Sequence, residues 1–285
     1  MAEAVLDEVE RSGGTLFAGT MSMYVGLAGA LQHRDADLSS LRRLYRGGEA
    51  LLSAVVEVLE RRTGVRLNDG YATTEVAPVL AVDPVRHVRP PAGTAGRLVP
   101  GARIRIVDEA GNDVVPGEVG EAWLGGPGLM LGYWDQPDLT AERVTADGWF
   151  RSGDLLREGP DGYFFVIGRS SEIIIRNGAR VAPAEIEAAL ADLPGVADCA
   201  TVGVPDEDFG ESIVAFVVVQ AGCLVTVDDL YVYLADRIAR FKLPTDIIVM
   251  DALPQRHNSK RDRLALRELA LELADRNSDA ASIGA

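Results

Sequence analysis

Residues 148–154 read Gly-Trp-Phe-Arg-Ser-Gly-Asp, and residues 161–169 read Asp-Gly-Tyr-Phe-Phe-Val-Ile-Gly-Arg. Residues 170–187 continue as Ser-Ser-Glu-Ile-Ile-Ile-Arg-Asn-Gly-Ala-Arg-Val-Ala-Pro-Ala-Glu-Ile-Glu. Asp154 and Arg169 each follow a glycine directly, so no bulky neighbour stands between either charge and a ligand. Between them, Asp161-Gly162 is a turn signal, and the apolar run Tyr163 to Ile167 suits a hairpin strand. A carboxylate and a guanidinium held at the ends of neighbouring strands can grip the hydroxyls and charge of a nucleotide. Gly-Asp or Gly-Arg alone reads as turn chemistry with a surface ion pair; only the whole string argues otherwise.

Outward from this stretch, composition narrows the function classes. The 285 residues suffice for two domains, and 47% hydrophobic with 25% charged residues is ordinary for a globular protein. A net charge of −15 argues against a general nucleic-acid or anionic-membrane surface, so an anionic substrate needs a local basic pocket. Cys199 and Cys223 form no CxxC pattern, which fits a reducing cytoplasm. The acidic, amphipathic N-terminus is no signal peptide, and the apolar runs near 21–31 and 213–219 are too short to span a bilayer. The expectation is a soluble cytoplasmic protein with no nucleic-acid partner and no membrane span.

The expected fold class is α/β. Residues 1–95 alternate helix and strand: helices near the N-terminus, at 21–32 and at 49–63, with strands at 15–18, 41–45 and 65–68. That pattern predicts a layered, largely parallel unit. Residues 96–169 turn to β, with strict alternation at Arg103–Ile106, a turn at 109–112 and a strand from Gly120, suggesting a small β-barrel-like block or sheet. One short helix is expected at 137–144. From 170 to 285 a smaller α/β domain follows. It should hold a buried strand at Ile173–Ile175, a helix opened by Pro183, and strands at 197–202, 212–219 and 246–250. Further helices are expected at 227–239 and 260–274.

Five stretches, taken in order, resemble the adenylate-forming (AMP-binding) superfamily, in particular the acyl-CoA synthetases or carboxylate–CoA ligases, and the likeness runs from about Leu16 to Arg267. Gly47-Gly48-Glu49 resembles the glycine-rich segment that lies against adenine, where glycine lets a flat base approach the backbone. Tyr71-Ala72-Thr73-Thr74-Glu75 resembles Tyr-Gly-x-Thr-Glu, in which the threonine binds phosphate and the glutamate holds Mg2+. Ala72 stands where the family has glycine. Arg151-Ser152-Gly153-Asp154 resembles Arg-Thr-Gly-Asp, whose aspartate takes both ribose hydroxyls. Arg169 matches the arginine that reaches ribose or phosphate. Ser171 falls at the hinge, where relatives carry Asp or Lys, and Gly178 falls in the loop of the thiol channel. Leu253 to Arg261 resembles the motif whose lysine, here Lys260, bridges carboxylate and α-phosphate; Ser259 replaces its usual glycine.

The resemblance implies a chain that begins past the family's phosphate loop, with residues 1–169 forming the C-terminal part of a large domain. Residues 170–285 would form a small lid domain, joined through a hinge. The implied substrates are ATP, a fatty or aryl carboxylic acid and coenzyme A, with AMP as a product and Mg2+ as the metal. A missing N-terminal half is a possible partner. Two rival readings stand beside the ligase: a half-enzyme performing only the thioester step, and a non-catalytic nucleotide- or partner-binding fragment. Without the phosphate loop, the chain alone is expected to give no carboxylate-dependent pyrophosphate exchange, and robust exchange with a panel of fatty and aromatic acids would refute that expectation.

Overall fold

The computed structural model describes residues 2–47, 53–85, 90–220, 222–256 and 261–283. They divide into two compact units, chiefly the residues up to Ser171 and those from Glu172 onward. The first unit opens with α1 (Ala2–Ser12), β1 (Leu16–Gly19), α2 (Met21–His33), β2 (Arg43–Arg46), α3 (Ser53–Thr63) and β3 (Leu67–Tyr71). β1, β2 and β3 pair in parallel, and β4 (Leu80–Ala81) and β5 (Arg97–Leu98) extend the sheet antiparallel. On α2, Tyr24, Leu27, Ala28 and Leu31 are buried at helical spacing and meet Leu6 and Val9 of α1 and Leu44 of β2. The buried Tyr24 hydroxyl lies 2.9 Å from the Tyr45 carbonyl and 3.1 Å from that of Phe17, so its single proton has an acceptor and its burial leaves no orphan donor.

The third strand begins later than its apolar pattern suggests. Thr63 Oγ1 accepts the Val65 N–H at 3.1 Å and Gly64 adopts φ +68°, so Val65 belongs to the turn that closes α3.

Four antiparallel strands follow: β6 (Arg103–Val107), β7 (Val119–Gly125), β8 (Phe150–Glu158) and β9 (Phe164–Arg169), with α4 (Pro137–Arg143) between β7 and β8. Of the two expected forms, barrel-like block or sheet, the block takes the second: among the described residues β6 and β9 do not pair, and the sheet stays open. Four strands are too few to enclose a side-chain-filled interior. Instead Ala122, Leu124, Phe150 and Leu156 pack against Val76, Val79, Leu80 and Ala95 of the layer before them. Gly96 makes that junction possible. Its φ is +103°, and a Cβ there would lie 2.1 Å from the Ala81 carbonyl carbon.

The second unit contains β10 (Ile174–Arg176), β11 (Ala179–Val181), α5 (Pro183–Ala191), β12 (Val196–Asp206), β13 (Gly210–Val219), α6 (Val227–Ala235), β14 (Asp246–Val249) and α7 (Arg263–Ile283). The sheet order is β11-β10-β13-β12, with β14 parallel to β13. Both faces of β13 are covered. Ile213, Ala215 and Val217 join Ile186, Leu190, Leu230 and Leu234 on one side, while Val214 and Phe216 join Leu266 and Ala270 on the other. That explains its unbroken apolar sequence.

Two expectations are corrected here. Ile174 is buried but Ile175 is 43% exposed, so the expected strand at 173–175 is instead a hairpin arm at 174–176 that is not covered on both faces. α6 stops at Ala235, because Arg237 donates its N–H to Leu234 O at 2.9 Å, an i→i−3 bond that tightens and ends the helix.

Both cysteines are free; Cys199 is buried and Cys223 exposed. Burial, with Glu187 nearby, pushes the Cys199 thiol up to about 12. A thiol-reactive dye should therefore titrate Cys223 alone in the native protein and both cysteines after denaturation; rapid native reaction of Cys199 would show that the β12 face is open.

Candidate active site

Asp154 and Arg169 are register partners on β8 and β9. The pairings of β8 slip between Glu121 and Trp123 on one side and between Leu155 and Leu156 on the other. Irregularities that close to Asp154 re-aim its side chain out of the regular pleat. The loop is held from several directions. Asp154 N–H donates to Ser152 Oγ at 3.0 Å, Ser152 Oγ–H to Ala122 O at 2.7 Å, and Gly153 N–H to Glu121 Oε1 at 3.1 Å. Gly153 has φ +71°, and its carbonyl accepts the Ser170 hydroxyl.

The carboxylate itself is buried, at 6% exposure for the residue. Its Oδ2 accepts the Tyr71 hydroxyl at 2.6 Å, and its Oδ1 meets Arg169 Nε at 3.1 Å. Burial first, and then the Asp154 charge, raise the Tyr71 phenol well above its ordinary value, so it remains a donor. The Arg169 side chain is 59% exposed and lies open to solvent. Tyr71, Asp154 and Arg169 thus come together from three strands.

Downstream of Tyr71 the chain makes a tight turn. Thr73 N–H donates to Val76 O, and Thr73 Oγ1 accepts Val76 N–H at 2.9 Å. Ala72 and Thr74 are exposed at this turn. Glu75 is tied to the segment near residue 130: its carbonyl accepts Met130 N–H at 2.8 Å, and its Oε1 accepts the Tyr133 hydroxyl at 2.8 Å. Tyr133, Glu121 and Ser152 as a backbone anchor were not singled out from the sequence. Their partners lie far along the chain; no motif flags Tyr133 or Glu121, and the motif containing Ser152 does not tell that its hydroxyl anchors the Ala122 carbonyl.

Gly47 is exposed at the end of β2, and a Cβ there would meet nothing within 4 Å. Gly48 and Glu49 lie outside the described residues. Directly before Gly47, Arg46 pairs in register with Asp69, Nε to Oδ1 at 2.5 Å. Ser171 is exposed in the Ser170–Glu172 turn that ends the first unit.

The second unit holds the remaining expected residues. Asn177 and Gly178, at φ +51° and +75°, form the two-residue turn of the β10–β11 hairpin. Gly178 is exposed with open space around it, and Asn177 N–H donates to Phe209 O. Lys260 lies outside the described residues. The ends of its segment are described: Gln255 and Arg261 form an antiparallel bridge, and Asp262 N–H donates to Pro254 O at 2.8 Å.

The first unit fits a nucleotide's ribose. Each Asp154 oxygen has one donor, and a carboxylate offers about four lone-pair sites, so room remains for two hydroxyls. A cation fits less completely. One Glu75 oxygen serves Tyr133, and among the described residues no group of three or more His, Cys, Asp or Glu could hold a metal. A divalent ion there would take one carboxylate oxygen and complete its shell with substrate oxygens and water, as Mg2+ does.

Residues 1–134 match the family model for an AMP-binding enzyme, and residues 185–260 match that for the AMP-binding enzyme C-terminal domain. The chain is 40% identical over 258 residues to a feruloyl-CoA synthase of Amycolatopsis sp, covering 90% of this chain and 52% of the relative. It is 36% identical to an indoleacetate–CoA ligase of Aromatoleum aromaticum, covering 94% and 52%. The chain therefore spans about half the length of the curated relatives it matches. Among solved structures, an amide bond synthetase from Marinactinospora thermotolerans superposes with TM-score 0.87 at 31% identity, covering 94% of this chain and 55% of that one. An anthranilate CoA ligase in complex with anthranoyl-AMP gives TM-score 0.86 at 28% identity, covering 96% and 53%.

Tyr71→Phe leaves the buried Asp154 carboxylate short of one donor. Urea unfolding of the first unit should show a loss of about 1–3 kcal/mol. No change would mean that Tyr71 contributes no net stabilisation to the carboxylate.

Proposed function

The chain belongs to the AMP-binding enzyme family, and from that premise we propose that the protein activates a carboxylic acid as its acyl-adenylate and then transfers the acyl group to coenzyme A. The observation that carries this reading is the Tyr71–Asp154–Arg169 constellation: a buried, pre-oriented carboxylate beside a solvent-facing guanidinium. Several relatives are CoA ligases by name, two of them acting on feruloyl and indoleacetate groups, which favours an aryl or fatty acid as the substrate class. Because those relatives are about twice as long, the activity is proposed for this chain together with the further half that they carry, in the same polypeptide or as a separate partner. A reducing cytoplasm suits its two free thiols.

In the first step a carboxylate oxygen attacks the α-phosphorus of ATP, the bond to the bridging oxygen breaks, and pyrophosphate leaves. In the second step the coenzyme A sulfur attacks the acyl carbonyl, the thiol proton goes to solvent, and AMP departs with the electron pair of the broken C–O bond. Asp154 would accept both ribose hydroxyls and Arg169 would reach the ribose or phosphate, with Tyr71 orienting the carboxylate. Gly47, Gly48 and Glu49 would lie along the adenine, while the exposed Thr74 and the backbone at Ala72 and Thr73 would face the phosphates. Glu75 would hold Mg2+, which would neutralise phosphate charge. Lys260 would bridge carboxylate and α-phosphate as a mobile point charge. Residues 170–285 would act as a lid rotating at Ser171, with Gly178 at the thiol channel.

Asp154→Ala removes an acceptor of two charge-assisted hydrogen bonds, so affinity for AMP should fall by at least about tenfold. Calorimetry checks this, and unchanged affinity would return Asp154 to a structural role.

The two half-reactions should separate. Lys260→Ala is expected to cut pyrophosphate exchange while sparing thioester formation from synthetic acyl-adenylate and coenzyme A, with the further half from a relative supplied in trans. Gly178→Leu should do the reverse. Because Gly178 sits at φ +75°, Gly178→Asn serves as the control that tolerates the turn with less bulk. Equal damage to both steps from Lys260→Ala and Gly178→Leu would rule out an alternating lid.

A further inference from the structure

The second unit buries a charge cluster to which no role has yet been given. Glu187 on α5 is 7% exposed. Arg263 grips it with a fork, Nη1 to Oε1 at 2.7 Å and Nη2 to Oε2 at 2.9 Å, while Nη1 also donates to Thr201 O at 2.8 Å. The Thr201 N–H donates to Glu187 Oε1 at 2.7 Å. Arg261, whose side chain is 7% exposed, donates through Nη2 to Asp198 Oδ1 at 2.7 Å and lies 3.6 Å from Glu187 Oε2. Arg263 Nε then reaches Glu172 Oε2 at 3.2 Å.

Such a cluster is a poor way to gain stability alone, because desolvating several charges costs about as much as their attraction returns, and apolar residues of equal volume often do as well. What apolar packing does not supply is direction. The planar guanidinium of Arg263 accepts partners only in its plane, so three carboxylate and carbonyl groups from separate segments fix its position.

The segments joined are the informative part. Glu172 follows Ser171, where the first unit ends. Arg261 follows Lys260 in sequence, and its backbone bridges Gln255, so the described residues on either side of 257–260 are held to one another. We propose that Glu187, Arg261 and Arg263 form a positioning cluster that locks the base of the lysine-bearing segment to the residue just past the hinge, so that the lysine moves with the second unit as one body. Glu187 and the two arginines touch no substrate in this scheme; they act through Lys260. The inference rests on the adenylation role proposed above for Lys260.

Two measurements on the full chain test it, using Glu172→Gln, which is partly exposed and should fold, and Arg263→Lys, which keeps the charge but loses the fork. In hydrogen–deuterium exchange, peptides spanning 253–262 should open at least about tenfold more readily in Arg263→Lys, as expected for losing one set of charge-assisted hydrogen bonds, with α6 and β13 unchanged. Glu172→Gln should show a smaller rise in the same peptides. With the further half supplied in trans, both variants should lower kcat for pyrophosphate exchange while leaving the KM for ATP unchanged and thioester formation from supplied acyl-adenylate largely intact. A merely structural role would instead raise exchange across the whole unit and depress both half-reactions together, and that outcome overturns the proposal. Unchanged exchange at 253–262 in both variants also overturns it. If the unmodified chain shows no adenylation even with the further half supplied in trans, the reading of Lys260 fails, while the exchange data still decide whether the segment is anchored.

Discussion

Asp154 carries its charge at 6% exposure, and everything around it in the first unit follows from keeping that charge in place. A buried carboxylate without partners would give up its ionisation or the fold. Here the Tyr71 hydroxyl and the Arg169 guanidinium supply them. For those partners to meet, β3 must end at Tyr71, β8 must depart from regular pairing at 152–154, and β9 must return antiparallel with Arg169 opposite. The glycine at 153 and the Ser152, Glu121 and Ser170 bonds hold the irregular backbone in that path. The open four-stranded sheet is the platform that makes this geometry rigid.

The large features were legible because they are local. Strand–helix alternation in the first 71 residues, the hairpin of β8 and β9, and the covered strand β13 follow from periodicity and turn chemistry. Whether the β block closes as a barrel or stays an open sheet could not be read, since alternation along a strand says which face is buried and not what covers it; here Val76, Val79, Leu80 and Ala95 cover it. Ile173–Ile175 looked buried for the same reason. The Asn177-Gly178 turn was available all along, since that dipeptide between apolar runs marks a two-residue hairpin.

The site was legible only where its residues sit in short strings. Tyr71, Asp154 and Arg169 could be picked out, whereas Tyr133 could not, because its bond to Glu75 joins residues 58 positions apart. The same distance hides Glu187: its arginine partner is 76 residues away, and nothing near Glu187 in sequence distinguishes it from the helix-start glutamate Glu185. Arg46 and Asp69 meet only because β2 and β3 pair in that register.

Two buried carboxylates, Asp154 and Glu187, have nearly equal exposure and both pair with arginine, yet the arginines are held very differently. Arg169 is more than half exposed and holds Asp154 through one nitrogen at 3.1 Å, so it can swing toward an arriving anion without leaving a cation stranded in the core. Arg263 is 19% exposed, forked onto Glu187, and further committed to Thr201 and Glu172. Releasing it would orphan several buried groups at once. Water screens the first pair and makes it weak, which suits the nucleotide-contacting role proposed for Arg169. Exclusion of water strengthens the second, which suits the fixed joint proposed for the lysine-bearing segment.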